Sequence, residues 1–331
     1  MSNNHLKTFL ATTATVISLS VFACKEEAKK EDLTVNISYG GVLCHAPLHI
    51  AFEKGFFEAE GLKISKISLG TDQTIDAAAT GKIDAGYGLL GKFAQPIENG
   101  LAIKFTAGMH TGCIKLVVKD NSPINSIKEL KGKKIGVGSL ADSPAIIAKR
   151  ALYDAGISVD PQNMEVDLIV YPNADLPAAL DNGAIDAYVA MDPSVSVAIK
   201  QNNYKVLLNT ATTEPFGHEF CCGSFVTSKF AQEHPEEALK FTKALIKAAH
   251  WIQAHPDSAA QIQVNAKYVF GDVEFNGQLL SEYNFNANVQ GGKESFESSL
   301  NALKKINVLR QDTNVDSLVK RAFVSYDIKT E

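Results

Sequence analysis

The sequence predicts an α/β protein of two similar lobes, each a mixed, mostly parallel sheet flanked by helices. Three observations predict it. Strand-like stretches of alternating polarity take turns with helical-period stretches, the signature of a parallel sheet covered by helices. That succession runs through once and restarts near residue 132. The echo is close: "TGKIDAGY" (80–87) returns as "NGAIDAYV" (182–189), in each case a helix ending at glycine and Ile-Asp-Ala opening a strand. This is a doubling, not a solenoid array, which needs at least about three repeats. A length of 331 residues also fits about two domains.

The elements follow in order. "LTVNISYG" (33–40) alternates and ends in glycine, so it reads as a strand. "PLHIAFEKGFFEAEG" follows as a helix ending near Gly61, and "LKISKISL" (62–69) as a second strand. "TDQTIDAAATG" reads as a helix capped by Thr71 or Asp72 and closed near Gly81, and "KIDAGYG" as a short strand. In the second run, "GKKIGVGS" (132–139) is a strand, "LADSPAIIAKRALYDAG" a helix, "MEVDLIVYP" a strand, "DLPAALDNG" a helix and "AIDAYVAM" a strand. Residues 225–331 read as mainly helical, with one helix over 234–256 and another over 296–309.

Composition narrows the function. Hydrophobic residues make up 45% and charged residues 21%, ordinary for a globular chain. A formal net charge of −5 with no basic stretch argues against a nucleic-acid binder. "FLATTATVISLSVFAC" (9–24) is uncharged and too short for a good membrane span, and reads as a signal-peptide core. Its "VFAC" end resembles a bacterial lipobox, with Cys24 as the lipidated residue. "KEEAKKEDL" follows as a charged tether.

Three further clusters carry thiols and imidazoles: "YGGVLCHAPLHI" with Cys44 and His45, "MHTGC" with His110 and Cys113, and "GHEFCCGS" with His218, Cys221 and Cys222. Three readings are open for these cysteines: a polar lining around an organic ligand, a disulfide or core role, and contact with a metal or metal chelate. Cys44–Cys113 would be a more natural bridge than the strained vicinal pair. The spacing matches no zinc finger, so a metal reading rests on convergence of the clusters alone and leaves the ligands unknown. His49 and His250 sit within helical stretches and read as structural.

The runs "PLHIAFEKGFFEAEGLKI" (47–64), "AAATGKIDAGYG" (77–88), "SIKELKGKKIGVG" (126–138), "DNGAIDAYVAMDPSVSVA" (181–198) and "TSKFAQEHPEEALKF" (227–241) resemble the solute-binding proteins of bacterial ABC importers. The resemblance is to the nitrate/sulfonate/taurine and thiamine-precursor group, with the class II periplasmic-binding-protein fold. It implies residues 33–115 plus 225–331 as lobe 1 and 116–224 as lobe 2, after a signal peptide (1–23) and tether (24–32). Two hinge crossings would join the lobes, near 114–119 and 222–227, and ligand would bind in the cleft between them.

Loops at the carboxyl ends of strands face such a cleft. The candidate ligand-binding residues are therefore Gly41, Cys44, His45, Thr71, Asp72, Gly88, His110, Thr111, Cys113, Ser139, Asp142, Ser143, Asp192, His218, Cys221 and Cys222. Helix entries at 70–74 and 138–143 suit small anions, but ordinary capping is the competing reading. No arginine falls in these loops, which weakens a nitrate or sulfonate reading. No catalytic residue and no cofactor is expected. The expected partners are a small-molecule solute and an ABC permease with its ATPase, met by a monomer on a lipid anchor. A eukaryotic relative of the fold makes the thiamine pyrimidine with a histidine, a lysine-bound pyridoxal phosphate and a cysteine-rich iron motif. The "CC" at 221–222 matches that motif only faintly, so an enzyme is the lesser alternative.

Overall fold

A computed structural model describes residues 33–328. The signal-peptide, tether and Cys24 expectations fall outside the described residues. Strands β1 (Thr34–Tyr39), β2 (Lys63–Ser68), β3 (Ala85–Leu89) and β4 (Ile103–His110) alternate with helices α1 (Ala46–Glu53), α2 (Phe56–Ala59), α3 (Thr71–Ala79) and α4 (Leu90–Glu98). The chain then passes into β5 (Ile114–Val118), β6 (Lys134–Val137), α5 (Ser143–Asp154), β7 (Asp167–Val170), α6 (Leu176–Asp181), β8 (Ala187–Met191), α7 (Ser194–Asn202) and β9 (Lys205–Asn209). It returns through β10 (Cys222–Thr227) and ends in helices α8 (Ser228–Glu233), α9 (Pro235–Ala254), α10 (Pro256–Asn265), α11 (Val273–Glu282), α12 (Val289–Lys305) and α13 (Val315–Ala322).

Two five-stranded sheets result, in the orders β2-β1-β3-β10-β4 and β7-β6-β8-β5-β9. In each, three strands run parallel and a strand from a crossing pairs antiparallel beside them. The repeated Ile-Asp-Ala has a matching role in both. Asp84 Oδ2 accepts the Asn36 backbone N–H at 2.8 Å, and Asp186 Oδ2 accepts that of Lys134 at 2.8 Å. Their own N–H groups return to the same two residues' carbonyls. Each aspartate thus pins the start of the third strand to the central one, while Ile83 and Ile185 are buried beside it.

The crossings lie slightly upstream of the expected segments. The first is Thr111–Cys113, between β4 and β5, and the second runs from β9 to β10, residues 210–221. They lie side by side: Cys221 N–H donates to the His110 carbonyl and Thr210 N–H to that of Ile114, both at 3.0 Å. Gly112 and Cys113 are both left-handed, at φ 88° and 86°. Glycine adopts this at no steric cost, whereas cysteine is uncommon there. The turn places the Cys113 side chain in the core. The helix expected over 234–256 stops at Ala254, because Pro256 begins a new helix and bars its predecessor His255 from helical geometry.

Candidate functional site

A cavity of about 810 Å³ opens between the two lobes. Its walls come from the carboxyl ends of strands: Gly41 and Val42 after β1, Leu89 at the end of β3, Ser139 after β6 and Asp192 after β8. This is where open α/β sheets bind ligands. Of the sequence candidates, Gly41, Ser139, Asp142, Ser143 and Asp192 border it. Thr71 and Asp72 open α3, and their side chains lie outside the described residues.

The turn into the cleft is held by two histidines. Gly40 N–H donates to His45 Nδ1 at 3.0 Å, and the Gly40 carbonyl accepts from His49 Nε2 at 3.0 Å. His49 Nδ1 in turn accepts from the Gln263 amide at 2.8 Å. Both rings are therefore neutral, with set tautomers. Burial pushes the His45 pKa down and that of His49 well down. His45 is a positioning residue for the Gly40–Gly41 turn, not a cleft-lining one.

The anion-binding entry at α5 is occupied by the chain itself. Asp142 accepts the Ala145 N–H at 2.8 Å, and Pro144 has no N–H to offer. The carboxylate also sets a negative charge where an anion would sit. Asp192 is buried, and both its oxygens are engaged: Oδ1 by Ser196, Oδ2 by the Tyr283 hydroxyl at 2.8 Å and by Lys115 at 3.4 Å. Lys115 also reaches Glu282 at 3.0 Å, so this network joins the second sheet to α11.

Lys92 and Phe270 are among the lining residues that the sequence reading does not single out. Lys92 donates to the Ala141 carbonyl at 3.0 Å, across the cleft mouth. Leu90, Phe93, Ala94 and Ile97 of α4 are buried at helical spacing, a periodicity that turns Lys92 outward. Phe270, in "YVFGD", is 86% exposed and borders the cavity. Nothing in its local sequence marks it as exposed. A small apolar pocket of about 40 Å³ lies alongside, lined by Ile146, Phe216, Arg150 and Cys221 among others. Arg150 pairs with Glu219 at 2.8 Å, so its charge is compensated.

The thiol clusters meet, though not in the open cavity. Cys44, Cys113, Cys222 and His110 are fully buried, and Cys221 is half-buried at the wall of the small pocket. Cys221 Sγ lies 3.8 Å from Cys113 Sγ, 3.7 Å from Cys222 Sγ and 3.6 Å from His110 Nδ1. All four described cysteines are free thiols, so the Cys44–Cys113 bridge is not formed. Burial alone would raise Cys221, but its hydrogen bonding with the Cys113 and Cys222 thiols outweighs that and holds the pKa at about 6. The hydrogen bond to Cys221 pushes Cys113 up to about 11, and burial raises Cys222 well above the usual thiol range.

Three candidates stand elsewhere than expected. His218 does not converge on this cluster: its ring is 83% exposed and meets Glu214 at 2.9 Å. Gly88 lies inside β3, not in a loop, and a side chain there would strike Phe93. Thr111 is buried and exchanges backbone and hydroxyl bonds with Asn284, which ties the first crossing to the segment after α11.

The NMT1-like family model matches residues 28–267. The chain belongs to the NMT1-like family. A Bacillus subtilis protein named for binding aliphatic sulfonates is 29% identical over 294 residues, covering 84% of this chain and 85% of that one. An Aspergillus parasiticus 4-amino-5-hydroxymethyl-2-methylpyrimidine phosphate synthase is 24% identical over 242 residues, covering 69% and 68%. Among solved structures, the periplasmic aliphatic sulphonate binding protein of Escherichia coli superposes with a TM-score of 0.72 at 15% identity, covering 90% of this chain and 94% of that one. The periplasmic nitrate-binding protein of Synechocystis PCC 6803 gives 0.70 at 16% identity, covering 88% and 86%. At these identities the structures show the fold, and this member of the NMT1-like family has the two-lobed periplasmic-binding-protein fold.

Proposed function

We propose that this protein is the solute-binding component of an ABC importer. It is exported, lipid-anchored at Cys24, and acts as a monomer that delivers its solute to a membrane permease with its ATPase. It performs no chemistry on the solute. The observation that carries this reading is the interlobe cavity of about 810 Å³, walled by strand ends from both lobes. The relatives named for sulfonate binding support the transport class. No helix among the described residues is long and apolar enough to cross a membrane, so the anchor rests on Cys24.

The solute is an uncharged or cationic organic molecule with a flat apolar part. Asp142 occupies the helix entry where a nitrate or sulfonate would need free N–H groups, and the Arg150 charge is matched by Glu219. Phe270 offers an exposed ring for stacking. Burying such a ring is worth roughly 1.5–3 kcal/mol. Phe270→Ala is therefore expected to weaken binding of the co-purifying solute by about 10–100-fold and to leave the melting temperature unchanged. Native mass spectrometry identifies that solute, and calorimetric titration measures the loss. Equal affinity in the variant would remove Phe270 from the site, and tighter binding of a simple alkanesulfonate than of any neutral solute would overturn the solute class.

Cys24→Ala is expected to release the protein from membranes or leave it unprocessed. Fractionation with intact-mass analysis reads both. A variant that is still trimmed and membrane-bound would contradict anchoring at Cys24.

A further inference from the structure

We propose that Cys44, Cys113, Cys221 and Cys222 form a resident site for one thiophilic d10 metal ion, zinc(II) or copper(I), at the hinge beneath the cleft. The inference stands apart from the identity of the solute.

Spacing comes first. The Cys113–Cys221 and Cys221–Cys222 sulfur distances are 3.8 and 3.7 Å. A tetrahedron with metal–sulfur bonds of ~2.3 Å has sulfur–sulfur edges of about 3.8 Å. Cys44, Cys113 and Cys222 also lie with their sulfurs all within 4.8 Å of one another. Two sulfur triangles thus share the Cys113–Cys222 edge, which is the start of a four-coordinate shell.

The second argument is how the sulfurs arrive. They come from three separate segments: the turn after β1, the first crossing, and the end of the second crossing with the start of β10. Local sequence does not bring them together. Cys113 does so from a left-handed backbone at φ 86°, a conformation that costs a non-glycine residue energy and that clusters at functional sites.

The third is unpaired polarity. His110 Nδ1 donates to the Thr111 carbonyl at 2.9 Å, which leaves the lone pair on Nε2. That nitrogen and the Tyr87 hydroxyl are buried without hydrogen-bond partners among the described residues. Their rings stack at 6.3 Å. A packing cluster would favour apolar neighbours, whereas a metal–thiolate centre is polar.

Thiolates select zinc and copper(I) over magnesium, calcium or manganese. Buried as they are, the thiols are closed off from the open cavity, which suits a resident ion and not cargo. Binding replaces thiol S–H bonds by metal–sulfur bonds and releases the protons to solvent. An ion held there would tie both hinge crossings to the strand that leads to the Gly40–Gly41 turn.

The test uses the full chain with Cys24→Ser, so that the thiols counted are those of the cluster. Reduced, metal-free protein is titrated with cobalt(II) as the zinc probe and, anaerobically, with copper(I) against a competing chelator. One equivalent of cobalt should give thiolate-to-cobalt charge-transfer bands and tetrahedral visible bands, bleached by zinc. Stoichiometric copper(I) uptake that protects the thiols from alkylation, without the cobalt bands, would assign the site to copper. Cys221→Ser, at the half-buried position least needed for packing, should weaken binding by more than the ~10–100-fold typical of outer-shell changes. Ser38→Ala should leave it unchanged. Neither metal binding at one per chain would overturn the proposal. So would a Cys113–Cys221 disulfide in protein isolated without reductant, with the remaining thiols indifferent to both metals.

Discussion

Replacing Asp192 with alanine is expected to destabilise the protein by about 3–5 kcal/mol, the usual result of breaking a buried ion pair from one side. The substitution removes the acceptor for Tyr283 and Ser196 and leaves the buried Lys115 ammonium with the Ser196 hydroxyl and, as its one remaining charged partner, the partly exposed Glu282. An unsatisfied Tyr283 hydroxyl adds to the loss. Asp192→Asn should cost less, because an amide oxygen can still accept one of the two hydroxyls. Combining Asp192→Leu with Lys115→Met should cost less than the sum of the singles, since the unpaired charge disappears. Urea unfolding of the three Asp192 variants, Lys115→Met and the double variant measures this. Additive single effects would show that Asp192 and Lys115 do not act as a pair.

Acid should destabilise the fold through His45 and His49. Their folded-state pKa values are lowered by burial, so between that lowered value and the ordinary value near 6.5 the unfolded chain binds protons that the folded one refuses. Stability is therefore full above about pH 6.5 and falls as pH drops below it. Each histidine contributes a slope of up to ~1.4 kcal/mol per pH unit, about 2.7 for both. Protonation of either Nδ1 would also set an N–H against the N–H of Gly40 or Gln263. Loss of solute affinity should accompany the loss of stability, since both rings hold the Gly40–Gly41 turn at the cleft. Unfolding and binding measured at pH 7.5 and 5 test this. His49→Gln should flatten the slope, and an unchanged slope in that variant would place the acid sensitivity elsewhere.

Much of the architecture could be read directly from residue order. Alternation in "LTVNISYG" and "LKISKISL", and the repeated Ile-Asp-Ala, gave the parallel halves of both sheets, and the aspartates proved to be backbone acceptors that fix strand pairing. The antiparallel strands were harder. β4 ends in "GMH" and β10 begins "CGS", and both are buried on two faces, so neither shows the period of two that marks a half-buried strand. The strand-end rule puts His110 and Cys222 at a cleft mouth, whereas they lie within β4 and β10, and Gly88 lies within β3. That the thiols would meet was legible from the strand-end rule. That they would meet beneath the cleft was not, because it depends on the left-handed turn at Gly112–Cys113 and on the two crossings lying side by side. His218 shows the limit of proximity in sequence: three residues from Cys221, its ring faces solvent beside Glu214.

Capture of a solute between the lobes is tested most directly by small-angle scattering of solute-free protein before and after rebinding of the molecule that co-purifies with it. The radius of gyration is expected to fall on rebinding as the lobes close. Ser139→Trp, at an exposed position on the cavity wall, should abolish both binding and compaction without lowering the melting temperature. An unchanged radius with solute bound at one per chain, or undiminished binding in Ser139→Trp, would contradict capture in this cleft.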